Sequence, residues 1–112
     1  MKQPQLTTPS DISLHAPLRR TLPNGVTIHT LCAAEFEVVR VSFVFRAGSA
    51  QQRKAFVATS TANLLSEGTR GMTSQQIAEQ FDFYGSYFDV NVDRDYVYIS
   101  FCSLSKYFRQ TL

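Results

Sequence analysis

Tryptophan is absent from this chain, and cysteine and histidine occur only twice each. Two histidines leave little room for metal chemistry: His15 lies in a proline-rich lead and His29 in an apolar run, and no carboxylate stands at ligand spacing from either. The cysteines, Cys32 and Cys102, lack Cys-x-x-Cys spacing, which argues against a zinc ribbon and a redox dithiol and leaves burial as small hydrophobes as the expectation. No Gly-x-Ser-x-Gly elbow surrounds Ser60 or Ser66, and Glu67 and Glu79 read as single solvated carboxylates.

An excess of one charge is missing as well. Eleven basic and nine acidic residues give a formal net charge of +2, and the basic residues form pairs, Arg19-Arg20 and Arg53-Lys54, in place of a stripe. A nucleic-acid partner is therefore not expected. No window approaches the roughly 18 consecutive apolar residues that a membrane helix needs. The first residues, Met1 to Pro9, hold no apolar signal-peptide core. No membrane partner is expected, and cytoplasmic residence is the default.

What the chain does contain is 112 residues rich in phenylalanine (nine) and tyrosine (five), enough for one small domain with a core. Residues 1–17 hold three of the four prolines and suit an extended or disordered lead. Leu18 to Leu22 and Val26 to Leu31 flank Pro23-Asn24-Gly25, a hairpin signal because Asn and Gly tolerate positive φ. Val38 to Arg46 alternates, with Val39, Val41, Phe43 and Phe45 on one face and Val38, Arg40, Ser42, Val44 and Arg46 on the other. This pattern predicts a half-buried central strand.

The period then changes. Phe56 to Glu67 predicts an eleven- or twelve-residue helix stopped at Gly68. Thr73 to Tyr84 predicts a second, with Thr73 and Gln76 spaced as a capping box, Ile77, Phe81 and Tyr84 on one face, and Gly85 as its end. Tyr87 to Val92 and Tyr96 to Ser103 read as strands around the polar turn Asp93-Arg94-Asp95, and Leu104 to Leu112 opens an amphipathic helix with a serine cap. The order β-β-β-α-α-β-β-α predicts an α+β layer, an antiparallel sheet with helices on one face.

Several of these segments, in this order and spacing, resemble the insulinase/pitrilysin (M16) zinc peptidases. Leu22-Pro23-Asn24-Gly25-Val26-Thr27-Ile28 is similar to their opening hairpin, and Val41 to Ser49, ending Ala47-Gly48-Ser49, to their next strand. Leu64-Leu65-Ser66-Glu67-Gly68-Thr69 is similar to the end of their metal-binding helix, and Met72 to Ala78 with Phe81-Asp82-Phe83-Tyr84-Gly85 to the helix after it. The resemblance runs over residues 18–112. It implies a LuxS/M16 metallopeptidase-like fold, of which this chain would be the N-terminal half of one domain.

The same alignment places Thr59-Ser60-Thr61-Ala62-Asn63 where the family has His-x-x-Glu-His. Two histidines at i and i+4 on one helix face bind zinc, and the glutamate is base toward the metal-bound water. Thr59 and Asn63 take the histidine positions and Ala62 the glutamate position. A neutral hydroxyl and an amide are poor zinc ligands, and alanine accepts no proton. The family's third ligand, a later glutamate, would fall beyond Leu112. No metal or other cofactor is expected on this chain, with zinc only in an active partner.

The resemblance also implies a peptide-binding edge. In active relatives the strand after the second helix pairs with the substrate backbone, and the matching positions here begin at Gly85 and Ser86 and continue through Asp89, Val90, Asn91 and Val92. Backbone pairing needs only free N–H and C=O groups, so it can survive altered side chains. An ordinary sheet strand is the competing reading.

Three functions remain open: a non-catalytic partner that holds peptide or unfolded polypeptide beside an active M16 subunit, a scaffold subunit without a peptide role, and an active zinc peptidase. The last requires a histidine pair at i and i+4, which the sequence lacks. A half-domain rich in aromatics is also expected to self-associate.

Overall fold

The computed structural model describes residues 14–33 and 35–112. The chain divides into two compact units, Met1–Glu35 and Phe36–Leu112. Most of the expected lead lies outside the described residues, and residues 14–17 carry no regular structure.

In the first unit, strands β1 (Leu18–Thr21) and β2 (Thr27–Thr30) form an antiparallel hairpin with Leu18 opposite Thr30 and Thr21 opposite Thr27. The turn closes where the sequence predicts. The Leu22 amide donates to the Val26 carbonyl at 2.8 Å, the Asn24 side chain accepts from the Val26 amide at 3.1 Å, and Gly25 takes φ of 85°. Asparagine closes its own small ring with the backbone two residues on, and glycine supplies the left-handed step without a β-carbon to clash. Cys32 is exposed, so the burial expected of it does not occur; it follows the hairpin and has no sheet to cover it.

The second unit is built on a three-stranded antiparallel sheet of β3 (Val38–Phe45), β4 (Tyr87–Val92) and β5 (Val97–Leu104) in the order β3-β5-β4. The central strand is β5, not β3 as expected from the alternation of Val38 to Arg46. Alternation reports which side chains share a face and carries no information on how many neighbours a strand has. β5 holds the buried positions Val97, Ser100 and Ser103, whereas Val38, Phe43, Val44 and Phe45 of β3 are exposed.

The register sorts the sheet into two faces. Phe45 lies opposite Val97, Phe43 opposite Ile99 and Val41 opposite Phe101, and Val92, Val90 and Phe88 face the same β5 residues from the other side. These form the apolar face. Helices α1 (Val57–Leu64), α2 (Ser74–Phe83) and α3 (Phe108–Thr111) pack against it, so the structure has the expected α+β layer with helices on one face. Phe81 of α2 stacks on Phe88 and Phe101 with ring centroids 6.0 and 6.4 Å away, and Phe43 meets Phe101 edge-on at 6.1 Å. Each such ring pair adds about 1 kcal/mol beyond its buried area.

Local sequence explains how the helices begin and end. Thr73 and Gln76 form the capping box: the Thr73 hydroxyl accepts from the Gln76 amide, and the Gln76 side chain accepts from the Thr73 amide. Gly85, with φ of 59°, stops α2 one residue past its cap. α1 is shorter than predicted, eight residues ending at Leu64. Past Ala62 the amides of Leu65 and Glu67 bond three residues back instead of four, so the last turn tightens before Gly68 is reached. The serine cap expected for the last helix is also absent. Ser105 begins a 3₁₀ turn with no side-chain cap, its amide donating to the Glu37 carbonyl at 2.9 Å, and α3 follows for four residues.

Candidate functional site

The site begins at α1, because its fourth, sixth and seventh residues after Phe56 and Val57 include the three positions where a metal motif would sit. A 3₁₀ turn over Ser49–Gln51 precedes it, and Gln52 reaches forward to accept from the Ala58 amide at 3.1 Å, satisfying one of the helix's free N–H groups. The chain enters the helix through Phe56, which has φ of 67°, a left-handed conformation unusual for a bulky side chain. Ala58 and Ala62, one turn apart, are the buried residues of α1, and their small side chains let the helix lie close to the sheet.

Thr59 and Asn63 are exposed and Ala62 is buried. They do not fit zinc: Thr59 offers a hydroxyl, Asn63 an amide, and Ala62 no polar atom at all. Among the described residues no group of three or more His, Cys, Asp and Glu side chains comes together. His29 lies on β2, opposite Arg19, within the first unit, and His15 precedes that hairpin. Ser66 donates to the Asn63 carbonyl at 3.2 Å and Glu79 accepts from Gln75 at 2.9 Å, so both have local partners.

α1 packs against β4, the strand holding the other candidate residues. β4 is an edge of the sheet among the described residues. Its turn with β5 closes through the Asp93 amide, which donates to the Tyr96 carbonyl at 3.0 Å. In an antiparallel ladder, bonded and non-bonded pairs alternate from such a closing pair. Asn91, Asp89 and Tyr87 therefore pair with β5, and the amides and carbonyls of Val92, Val90 and Phe88 point outward. The four predicted positions split accordingly. Val90 and Val92 supply outward backbone and have side chains on the helix-covered face, while Asp89 and Asn91 present side chains on the opposite face, across from Ser100 and Tyr98.

That opposite face carries polar groups that sequence reasoning did not assemble. Ser42 and Ser100 lie side by side in the register with their hydroxyl oxygens 2.8 Å apart, and an Arg40 guanidinium nitrogen is 3.5 Å from Ser100. Ser100 is only 2% exposed. The alternation of β3 already placed Arg40 and Ser42 together; the partner on β5 depends on register, which no local signal in the sequence sets.

The turn itself is held electrostatically. The Asp93 carboxylate accepts from the Tyr96 amide at 2.6 Å and the Asp95 amide at 2.8 Å. The Tyr96 bond is the main cause that holds Asp93 below the usual carboxylate value; partial burial opposes it, and the Asp95 amide and Tyr98 hydroxyl add to the lowering. Tyr98 is pushed up in turn, chiefly by desolvation and then by the Asp93 charge.

No protein-family model matches the chain. No curated protein matches it either. Among solved structures, the crystal structure of a peptidase M16 inactive domain from Pseudomonas fluorescens matches with a TM-score of 0.77 and 27% sequence identity, over 84% of this chain and 23% of that one. The fold of the described residues is thus M16-like, and the chain spans less than a quarter of the length of that protein. Among the described residues no helix is long and apolar enough to cross a membrane.

Proposed function

We propose that this chain belongs to a catalytically inactive M16-like peptidase homologue, which binds peptide or unfolded polypeptide and encloses it together with an active, zinc-bearing subunit. The observation that carries the reading is α1: the helix is in place beside β4, yet Thr59, Ala62 and Asn63 supply neither ligand nor base. The match to a protein described as an inactive domain supports it. Peptide is held, on this reading, by the outward backbone of Phe88, Val90 and Val92 at the β4 edge, which needs no catalytic group nearby.

Metal analysis and co-expression test the two halves of this reading. Purified protein is expected to hold no stoichiometric zinc; tightly bound zinc, lost on His29→Ala, would overturn the inactive assignment. Co-expression with an M16 subunit that carries His-x-x-Glu-His is expected to raise that subunit's peptidase activity. Equal activity with and without this chain would remove the partner role and leave a scaffold.

A further inference from the structure

The largest open groove of the second unit, about 730 Å³, runs along α1 on the side of β3 and β5, and no residue of β4 lines it. Its floor is apolar, formed by Val97, Ile99 and Ala62, with Phe45 and Val57 at its flanks. Those flanking side chains remain 49% and 47% exposed, a costly state for groups of this size. Arg46, Arg53 and Lys54 also line the groove, and no carboxylate does.

Two features decide what fits. The groove lies on the sheet face that already carries helices, and Phe43 and Phe45 of β3 are the part of that face still exposed. Neighbouring strands are about 4.8 Å apart, so the width from β3 to β5 and α1 suits a helix about 10 Å across. The rim then sets the sign. A neutral apolar helix would bury or crowd three cations without a partner, whereas acidic side chains beside an apolar stripe would pair with them.

We propose that this groove is a docking site for an amphipathic helix of a partner polypeptide, with an apolar face against Val97, Ile99 and Ala62 and acidic residues toward Arg46, Arg53 and Lys54. The site is separate from the β4 edge and holds whether or not that edge captures peptide.

The test uses the whole chain and a fluorescent peptide of about 18 residues, with leucines at i, i+3, i+4 and i+7 and glutamates elsewhere, read by anisotropy. A second peptide carries lysine at every glutamate position. The acidic peptide is expected to bind saturably. Arg53→Glu with Lys54→Glu, both at exposed positions, is expected to weaken it about tenfold and to favour the lysine peptide. Raising salt from about 0.05 to about 0.5 M is expected to weaken the wild-type complex. Equal binding of the two peptides, binding of neither, or indifference to the charge reversal would overturn the proposal. So would a fatty-acid probe that binds where the peptide does not, or light scattering that shows a dimer dispersed by Val57→Asp, since the occupant would then be a lipid or a second copy.

Discussion

Gly48 and Tyr96 approach so closely that a β-carbon built on the glycine would lie 2.5 Å from the Tyr96 amide nitrogen, and equally near the backbone of Arg94 and Asp95. The contact results from a ladder of amides: Gly48, Ser49 and Ala50 donate to the carbonyls of Asp95, Asp93 and Arg94 at 3.2, 2.9 and 2.8 Å. It ties the end of β3, and with it the entry to α1, to the turn between β4 and β5.

Gly48→Ala is therefore expected to destabilise the chain by about 3 kcal/mol, because the atoms in the way are backbone and cannot rotate aside. Gly71→Ala is the control. A β-carbon there meets nothing within 4 Å and the glycine has no left-handed φ, so the urea midpoint should stay near that of the parent.

What could be read from the sequence was local. Asn24-Gly25 announced the first hairpin, Thr73 with Gln76 announced the cap of α2, and Gly85 announced its end, since each acts on residues within four positions of itself. The faces of β3 were legible too, because alternation is a property of one strand. The central place of β5, the burial of Ser100, and the choice of Ala58 and Ala62 over Leu64 as the covered side of α1 depend on contacts far apart in sequence. Leu64 is 65% exposed while Ala62 is 4% exposed, the reverse of what side-chain hydrophobicity alone predicts. Close approach of the helix decides it, and that favours the smaller residue.

Phe56 stores strain that a substitution can release. A left-handed backbone costs a residue with a β-carbon about 1–2 kcal/mol, and the phenyl group is 76% exposed, so little burial is lost with it. Phe56→Gly is expected to raise stability by about 0.5–1 kcal/mol after glycine's own entropic cost. Phe56→Ala keeps the β-carbon and is expected to change little. A urea series on the three proteins checks this, and equal midpoints for the alanine and glycine variants would place the strain elsewhere.

The Asp93 turn gives a pH dependence with a definite sign. The folded carboxyl has a lowered pKa, so its stabilising contribution is complete above the unfolded value near about pH 4 and is lost as the pH falls through the folded one. Asp93→Asn keeps an acceptor oxygen but removes the charge. Its urea midpoint is expected to lie below that of the parent at pH 7, and the gap between the two to close below about pH 4. A gap that stayed constant down to pH 2 would show that the charge contributes nothing.

The two exposed positions of the lost motif offer a direct test of how far α1 retains the geometry of a metal helix. Thr59 and Asn63 lie four residues apart, so Thr59→His with Asn63→His puts two imidazoles on one face of a helix that is already formed. Zinc is expected to stabilise this double variant and leave the parent unchanged, by about 2.7 kcal/mol when the metal is at 100 times its Kd. Hydrolysis of a peptide substrate should remain undetectable, because Ala62 still offers no carboxylate to take the proton from a metal-bound water. Binding without hydrolysis would separate the two losses that Thr59, Ala62 and Asn63 represent. A double variant that zinc does not stabilise would show that α1 holds these positions in a geometry no metal can use.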